Sequence, residues 1–461
     1  MTGKGLSRRE LIYLAAVAGT GVPFRLGAEE KASSTRWLDA AVKAARWIHS
    51  TRIESPEGLL WPGGPERPEG PNASPELYTG TSGVVLFLVE LARATGDELW
   101  LQEAAAGADW LIAGLPSALD GIRGVRAQAG LYTGVPGIGF AIHQVAKATG
   151  SEKYRRGAER CLDLVHSAAK PAGAGVEWDP GLDIIAGSAG TILYLLHMAR
   201  ELDRPDSREL ALQAGMRLAE LGIPAGGGLK WRTANDPEAN RLMPNFAHGT
   251  AGIAYALATL HLETGRKEPL DAAVAGGRYL RSVANLKGNG CLIFHHEPEP
   301  EGRNLYYLGW CHGPAGTVRL FYQLSKAQKT TRDKAWLGWV RRGARSIVAS
   351  GIPEKQTPGF WNNAGQCCGL AGVADLFLRL RKVTGEGLGY PRRVGEALLA
   401  KATPAGDGLK WVHAEHRVRP DYVYAQTGYM QGAAGIGMLL LHLDAAERGR
   451  KWGFRLPDSP Y

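Results

Sequence analysis

The chain has 461 residues, 44% of them hydrophobic and 21% charged, so it can bury a large core, and length alone suggests two or three domains. Net charge is +9, yet no polybasic run or nucleic-acid motif accompanies it. The Arg and Lys residues are spread along what read as solvated helix faces, which argues against a nucleic-acid partner.

In chain order, residues 7–12, S-R-R-E-L-I, precede an apolar stretch from Leu11 to Val22 and the small-residue L-G-A at 26–28. That pattern resembles a twin-arginine signal peptide over residues 1–28, cleaved near Ala28. The apolar run is too short to stay in a bilayer as a spanning helix, and no other segment reads as transmembrane, so stable membrane insertion is not expected. A functional signal predicts a periplasmic or secreted protein, and an unused one a cytoplasmic protein.

From residue 37 to 445 one pattern recurs. G-x-x-G followed by an apolar helical stretch occurs at 80–83, 134–137, 187–190, 249–252, 313–316, 369–372 and 432–435, with first glycines 54, 53, 62, 64, 56 and 63 residues apart. Regular spacing of this kind marks an internal repeat. Gly96, Gly150, Gly265 and Gly385 each lie sixteen residues after the first glycine of their repeat, as left-handed C-caps closing helices of about 14 residues and roughly 20 Å would. The stretch 249–265 shows helical apolar spacing through Ile253, Leu257 and Leu260. Other helical patterns, such as 38–50 and 98–113, lie between these, together with short G-x-x-W stretches at 58–61, 175–178, 228–231 and 408–411 whose tryptophans read as packing anchors.

One repeat therefore reads as an outer helix, a loop with a short extended piece, and an inner helix opened by G-x-x-G. Seven such hairpins close into a ring more readily than an open solenoid, which would need polar caps. The fold class is all-α, an α/α toroid of seven helical hairpins, with residues 446–461 as a C-terminal tail. Glycine at each inner-helix start allows close approach and a sharp turn. Converging helix N-termini are expected to present N–H donors and positive dipole ends to a shared cavity.

Unusual residues stand beside three of these glycines. Repeat four reads N-F-A-H-G with His248, repeat five G-W-C-H-G with Cys311 and His312, and repeat six Q-C-C-G with Cys367 and Cys368; repeat three offers D-I-I-A-G with Asp183. Cys161 and Cys291 lack that setting and read as buried small hydrophobes. Each candidate has a structural alternative: a vicinal Cys367–Cys368 disulfide, a packing or hydrogen-bonding His248, an Asp183 that only caps a turn or makes a salt bridge. The H-H-E at 295–297 is sequential rather than helix-spaced, and a solvated loop is the expected reading there.

The W-C-x-G, C-x-G and A-H-G motifs, in that order and spacing with the seven glycine pairs, resemble the lanthionine synthetase C-like family of α/α-toroid zinc proteins. The resemblance implies a Zn2+ ion held by Cys311, Cys367 and Cys368, the last replacing the family's usual histidine. Three protein ligands leave a fourth tetrahedral position open, as in catalytic zinc sites. The implied reaction adds a substrate cysteine thiolate to dehydroalanine or dehydrobutyrine in a peptide, forming a thioether. The resemblance makes His248 the acid that protonates the resulting enolate and Asp183 the carboxylate that orients a group or takes the thiol proton. Tyr307 stands where some members carry an arginine, four residues before the first zinc cysteine. Three thiolates give the site a formal charge of −1, against zero for Cys2His, which predicts a more electron-rich bound sulfur. Such a cyclase depends on a separate dehydratase as partner. A zinc-containing toroid that binds peptides or modified proteins without turnover is an alternative. A carbohydrate-active toroid is a further one, but it needs two opposed carboxylates, and Asp183 alone does not make that pair.

Overall fold

The structure, a computed structural model, describes residues 35–119, 128–234, 236 and 241–461. The signal-like segment 1–28 lies outside the described residues. Among the described residues, fourteen helices of ten residues or more alternate between two sequence types. The inner set is α2 (Thr81–Thr95), α4 (Val135–Thr149), α6 (Ser188–Glu201), α8 (Thr250–Thr264), α10 (Pro314–Lys326), α12 (Leu370–Arg379) and α14 (Ala433–Glu447). The outer set is α1 (Arg36–Ser50), α3 (Glu98–Ala113), α5 (Glu152–Ser167), α7 (Pro205–Glu220), α9 (Lys267–Ser282), α11 (Trp336–Ser350) and α13 (Gly389–Ala400).

Inner helices are buried on nearly every side. In α2 every residue from Thr81 to Ala92 is buried, the pattern of a helix with no solvent face. Outer helices keep one apolar stripe; α1 buries Trp37, Ala40, Ala41, Ala44, Ala45, Trp47 and Ile48, and the Thr35 hydroxyl caps it by accepting from the Leu38 amide at 3.3 Å. Each inner helix packs on the next around the circle, and α14 closes it by packing on α2. The α/α toroid is therefore the observed fold.

The tight hairpins differ from the expected pairing. An inner helix turns directly into the following outer one through two residues, as at Gly96-Asp97 and Gly150-Ser151, where the glycine is left-handed with φ +70° and +66°. The seventh pair is made by the two ends of the described chain, α14 against α1. The G-x-x-W stretches form the second strands of short antiparallel hairpins, with registers such as Ile53↔Leu60 and Ile223↔Lys230. Their tryptophans are buried, and the Nε1 groups of Trp178, Trp231 and Trp411 donate to helix-end carbonyls at 2.7, 2.7 and 2.8 Å. Burying each ring is worth roughly 5 kcal/mol before conformational entropy is subtracted.

The glycine pairs have a steric cause rather than a left-handed one. The first glycines all have negative φ, from −98° to −154°. A Cβ on Gly249 would sit 1.6 Å from the Met243 carbonyl oxygen, and one on Gly252 2.0 Å from that of Phe246. The loop before each inner helix is coiled tightly beneath these positions. Gly252→Ala should therefore cost about 3 kcal/mol, the upper end for overpacking. Gly265→Ala, with φ +73° and no atom within 4 Å, should cost about 1 kcal/mol. Urea denaturation of both variants measures the contrast.

That coiled loop also corrects the expectation of free helix N-termini. The first helical amide donates to a carbonyl seven residues upstream: Thr81 to Ser74, Val135 to Gln128, Ser188 to Gly181, Thr250 to Met243, Leu370 to Asn363 and Ala433 to Gln426, at 2.8–3.2 Å. In α10 that position is Pro314, which has no amide to satisfy. The donors of these helix starts are spent on their own loops, so what reaches the cavity is side chains.

Those loops are joined in a circle. The residue two before each first glycine bridges to its neighbour through the backbone, except that in the third sector Ile185 accepts while the adjacent Ile184 donates: Tyr78 N–H donates to Tyr132 O (2.9 Å), Tyr132 to Ile185 (2.9 Å), Ile184 to Ala247 (3.2 Å), Ala247 to Cys311 (2.8 Å), Cys311 to Cys367 (3.1 Å), Cys367 to Met430 (2.9 Å) and Met430 to Tyr78 (2.9 Å). The belt closes on itself and fixes the rim.

The opposite end is plugged. Beyond α14 the chain crosses the ring: Phe454 meets Phe140 with centroids 5.8 Å apart, and fully buried Asp458 pairs with Arg319 of α10 at 2.8 Å.

Candidate metal centre and the cavity beside it

Cys311 and Cys367 occupy equivalent places in neighbouring sectors of the belt, two residues before their glycines, and Cys368 takes the next place, which His248 and His312 fill in sectors four and five. Seven-fold repetition thus brings residues separated by more than fifty positions into one patch. The Cys311 and Cys368 sulfurs are 3.2 Å apart, Cys367 and Cys368 3.4 Å, and all three sulfurs lie within 4.8 Å of one another. All five cysteines are free thiols, so the vicinal disulfide is not formed. Cys161 and Cys291 are buried elsewhere, and burial pushes their thiols up to about 12 and about 11.

The donor chemistry fits a soft divalent cation. A zinc tetrahedron with 2.3 Å zinc–sulfur bonds has sulfur edges of about 3.8 Å, within reach of small rotamer changes. Burial alone would raise the Cys367 thiol; hydrogen bonds from Cys311, Cys368 and the Tyr78 hydroxyl outweigh it and hold Cys367 well below the usual thiol range. Burial pushes Cys311 well above that range, and Cys368 rises chiefly through its hydrogen bonds to the other two. A divalent ion bound among them would let all three ionise.

Beside the sulfurs stands a histidine array. His248 Nδ1 lies 2.6 Å from Asp183 Oδ2, while Asp183 Oδ1 accepts the Ala186 amide at 2.7 Å. Asp183 therefore both caps its turn and orients the imidazole. Burial lowers the His248 pKa, but the adjacent Asp183 carboxylate more than offsets this and leaves it raised above the ordinary imidazole value. The His248 ring stacks on His312 at 5.6 Å, and His312 packs against His295 at 4.1 Å. His295 in turn meets Tyr307 at 4.5 Å.

The solvated-loop reading of 295–297 is overturned. His295 lines this wall, with burial driving its pKa down to about 3, and Glu297 is buried with Lys230, Arg303 and Tyr279 as partners. Tyr307 accepts a hydrogen bond from Arg417 Nε at 3.3 Å, so a guanidinium reaches that position from the Val412–Ala414/Val423–Ala425 hairpin. Sequence reasoning took His295 for a solvated loop residue and missed Arg417 because both lie in connections with no repeat position. Tyr78 was accessible to it, since it holds the same place in sector one that Cys311 holds in sector five.

A cavity of about 610 Å3 opens at this rim, lined by Arg67, Glu76, Tyr78, His248, Glu415 and His416 among others. His248 uses Nδ1 on Asp183, which leaves Nε2 as the nitrogen available to a molecule in that space.

A seven-hairpin α/α toroid with a buried three-sulfur cluster and a His–Asp pair at one rim is the class these features define. Residues 71–454 match the family described as lanthionine synthetase C-like protein, and the chain belongs to that family. Among solved structures, nisin cyclase is similar in fold, with a TM-score of 0.61, 17% identity, and 88% of this chain and 92% of that one covered. An unsaturated glucuronyl hydrolase specific for heparin gives 0.48 at 11% identity, covering 89% of this chain and 97% of that one. An α-1,6-mannanase from Salegentibacter sp. HEL1_6 gives 0.46 at 12%, covering 89% and 99%. No curated protein sequence matches the chain. No helix among the described residues is long and apolar enough to cross a membrane.

Proposed function

We propose that this chain is a zinc-dependent, thioether-forming cyclase that acts on a peptide carrying cysteine and dehydrated serine or threonine residues, the latter supplied by a separate dehydratase. The observation that carries the reading is the convergence of the Cys311, Cys367 and Cys368 sulfurs within 4.8 Å on a rim where the Asp183–His248 pair also stands. The three cysteines would hold the zinc, which when bound supplies a Lewis acid that ionises a substrate thiol near neutral pH.

The chain's own residues do the rest. The cavity of about 610 Å3 gives a peptide segment room to lie against His248. Asp183 fixes the ring orientation of His248, whose Nε2 holds a proton for the α-carbon of the enolate left by thiol addition. Arg417, carried to the site by its hydrogen bond to Tyr307, supplies the cation facing the developing enolate oxygen. Purified, zinc-quantified protein mixed with a dehydrated cysteine-containing peptide should remove free thiol. Tight binding without thiol loss would favour the non-catalytic binding toroid instead.

The raised pKa of His248 gives a pH test. Its acid form persists above the ordinary imidazole value of about 6.5, so activity should hold past that pH and then decline. In Asp183→Asn the group opposing burial is gone, and the alkaline limb of the rate profile should move to lower pH. The stability sign agrees: a raised folded pKa contributes most below about 6.5 and is lost as pH climbs through it, an increment that Asp183→Asn should lack. Unfolding measured across pH 5–9, an interval of about two units on either side of neutrality, reads it.

A further inference from the structure

At the end of the ring away from the cysteines, two inner helices bring together three groups that have no part in the reaction above. His143 projects from α4, and His197 and Glu201 from one face of α6 at i and i+4. Their ligand atoms lie within 4.8 Å of one another. The two rings meet edge to face with centroids 6.0 Å apart. His143 Nδ1 and His197 Nε2 are sealed from solvent and have no hydrogen-bond partner, an arrangement costly for two buried polar nitrogens.

We infer that His143, His197 and Glu201 form a second zinc site, which clips α4 to α6 at the plugged end of the toroid. Two imidazoles and one carboxylate are a donor set for zinc rather than for magnesium or calcium, which prefer oxygen alone. Both imidazoles are neutral at physiological pH, as ligands must be: burial brings His143 down to about 4 and His197 to about 3. The pocket has an apolar floor, with Phe140 5.1 Å from the His197 ring and Phe454 packed on Phe140. Its mouth is Glu201, whose carboxylate is held at 2.7 Å by Lys147, while Arg200 is engaged outward with Glu263 at 2.7 Å. A dication entering past Glu201 takes over the charge that Lys147 now neutralises.

The cluster lies about 15 Å along the helices from the belt, so the two sites load independently. Equilibrium dialysis against zinc alone, with bound metal counted per chain, should give two ions for the full chain and one for His197→Gln. Cobalt substitution separates the sites: the sulfur-to-cobalt charge-transfer band of the cysteine cluster should be undiminished in His197→Gln. Glu201→Gln, altered at the exposed mouth and thus safe for folding, should weaken the second ion at least tenfold. Cys311→Ala should still bind one zinc whether or not the cyclase reading holds. A Cys311→Ala protein that binds no zinc, or His197→Gln and Glu201→Gln proteins that bind as the full chain does, would overturn the inference.

Discussion

A Cys311→Ala protein should keep its helical content and lose both the rim zinc and thiol-removing activity. The distinction rests on which atoms do which work. The Cys311 backbone donates to Cys367 O at 3.1 Å and accepts from Ala247 N at 2.8 Å, and an alanine makes both bonds equally well. The side chain contributes a sulfur to the cluster and fills little volume. Removing one of three donors should reduce zinc affinity by more than ~100-fold, the upper end for loss of a mere outer-shell partner. Circular dichroism, metal content after dialysis and the thiol-loss assay read the three outcomes separately. Cys368→His restores the family's more usual donor at the same place in the sector and should retain zinc. Its activity should be lower, because the site exchanges a formal charge of −1 for zero. A Cys311→Ala protein with full zinc and full turnover at the rim would dissolve the proposed role of the cluster.

The extent to which the sequence disclosed this arrangement follows from repetition. The seven glycine pairs were legible because every copy meets the same collision, a carbonyl oxygen of its own loop, and the C-cap glycines because only a left-handed residue ends those helices cheaply. Once the copies are aligned, Cys311 and Cys367 fall at one position and His248, His312 and Cys368 at the next, so a one-dimensional register becomes a three-dimensional patch. Features outside the register were not legible. The amides of the inner-helix starts bond upstream within the loop, which apolar periodicity does not encode. His295 reaches the wall from a connection outside the repeat register, and Arg417 from a hairpin found in one described sector. The pairing of α14 with α1 is the circular consequence of closure, visible only when the inner helices are seen to turn directly into the outer helices that follow them.

Asp458→Ala should destabilise the protein by about 3–5 kcal/mol, the usual cost of leaving one member of a buried ion pair alone. Asp458 is fully buried and Arg319 nearly so, and their contact at 2.8 Å joins residues 139 positions apart. The Asp458 carbonyl also accepts from Arg319 at 3.0 Å. The alternative anion for Arg319 is Asp375, 3.7 Å away and already bound by Arg379 at 2.7 and 2.8 Å. Without Asp458 the guanidinium is therefore left in a low-dielectric bore with a carboxylate it cannot monopolise. The damage should reach the cysteine cluster, since Trp310, adjacent to Cys311, lines the same small cavity as Arg319 and Asp458. Urea unfolding should show the loss of stability, and zinc affinity at the rim should fall with it. The double variant Arg319→Met, Asp458→Leu should recover much of the loss, because exchanging a buried pair for apolar groups of similar volume is commonly near neutral. If Asp458→Ala unfolded at the same urea concentration as the parent, the tail would be an appendage. If it unfolds early and the double variant does not, the buried pair between the tail and α10 is what fastens the tail across the ring.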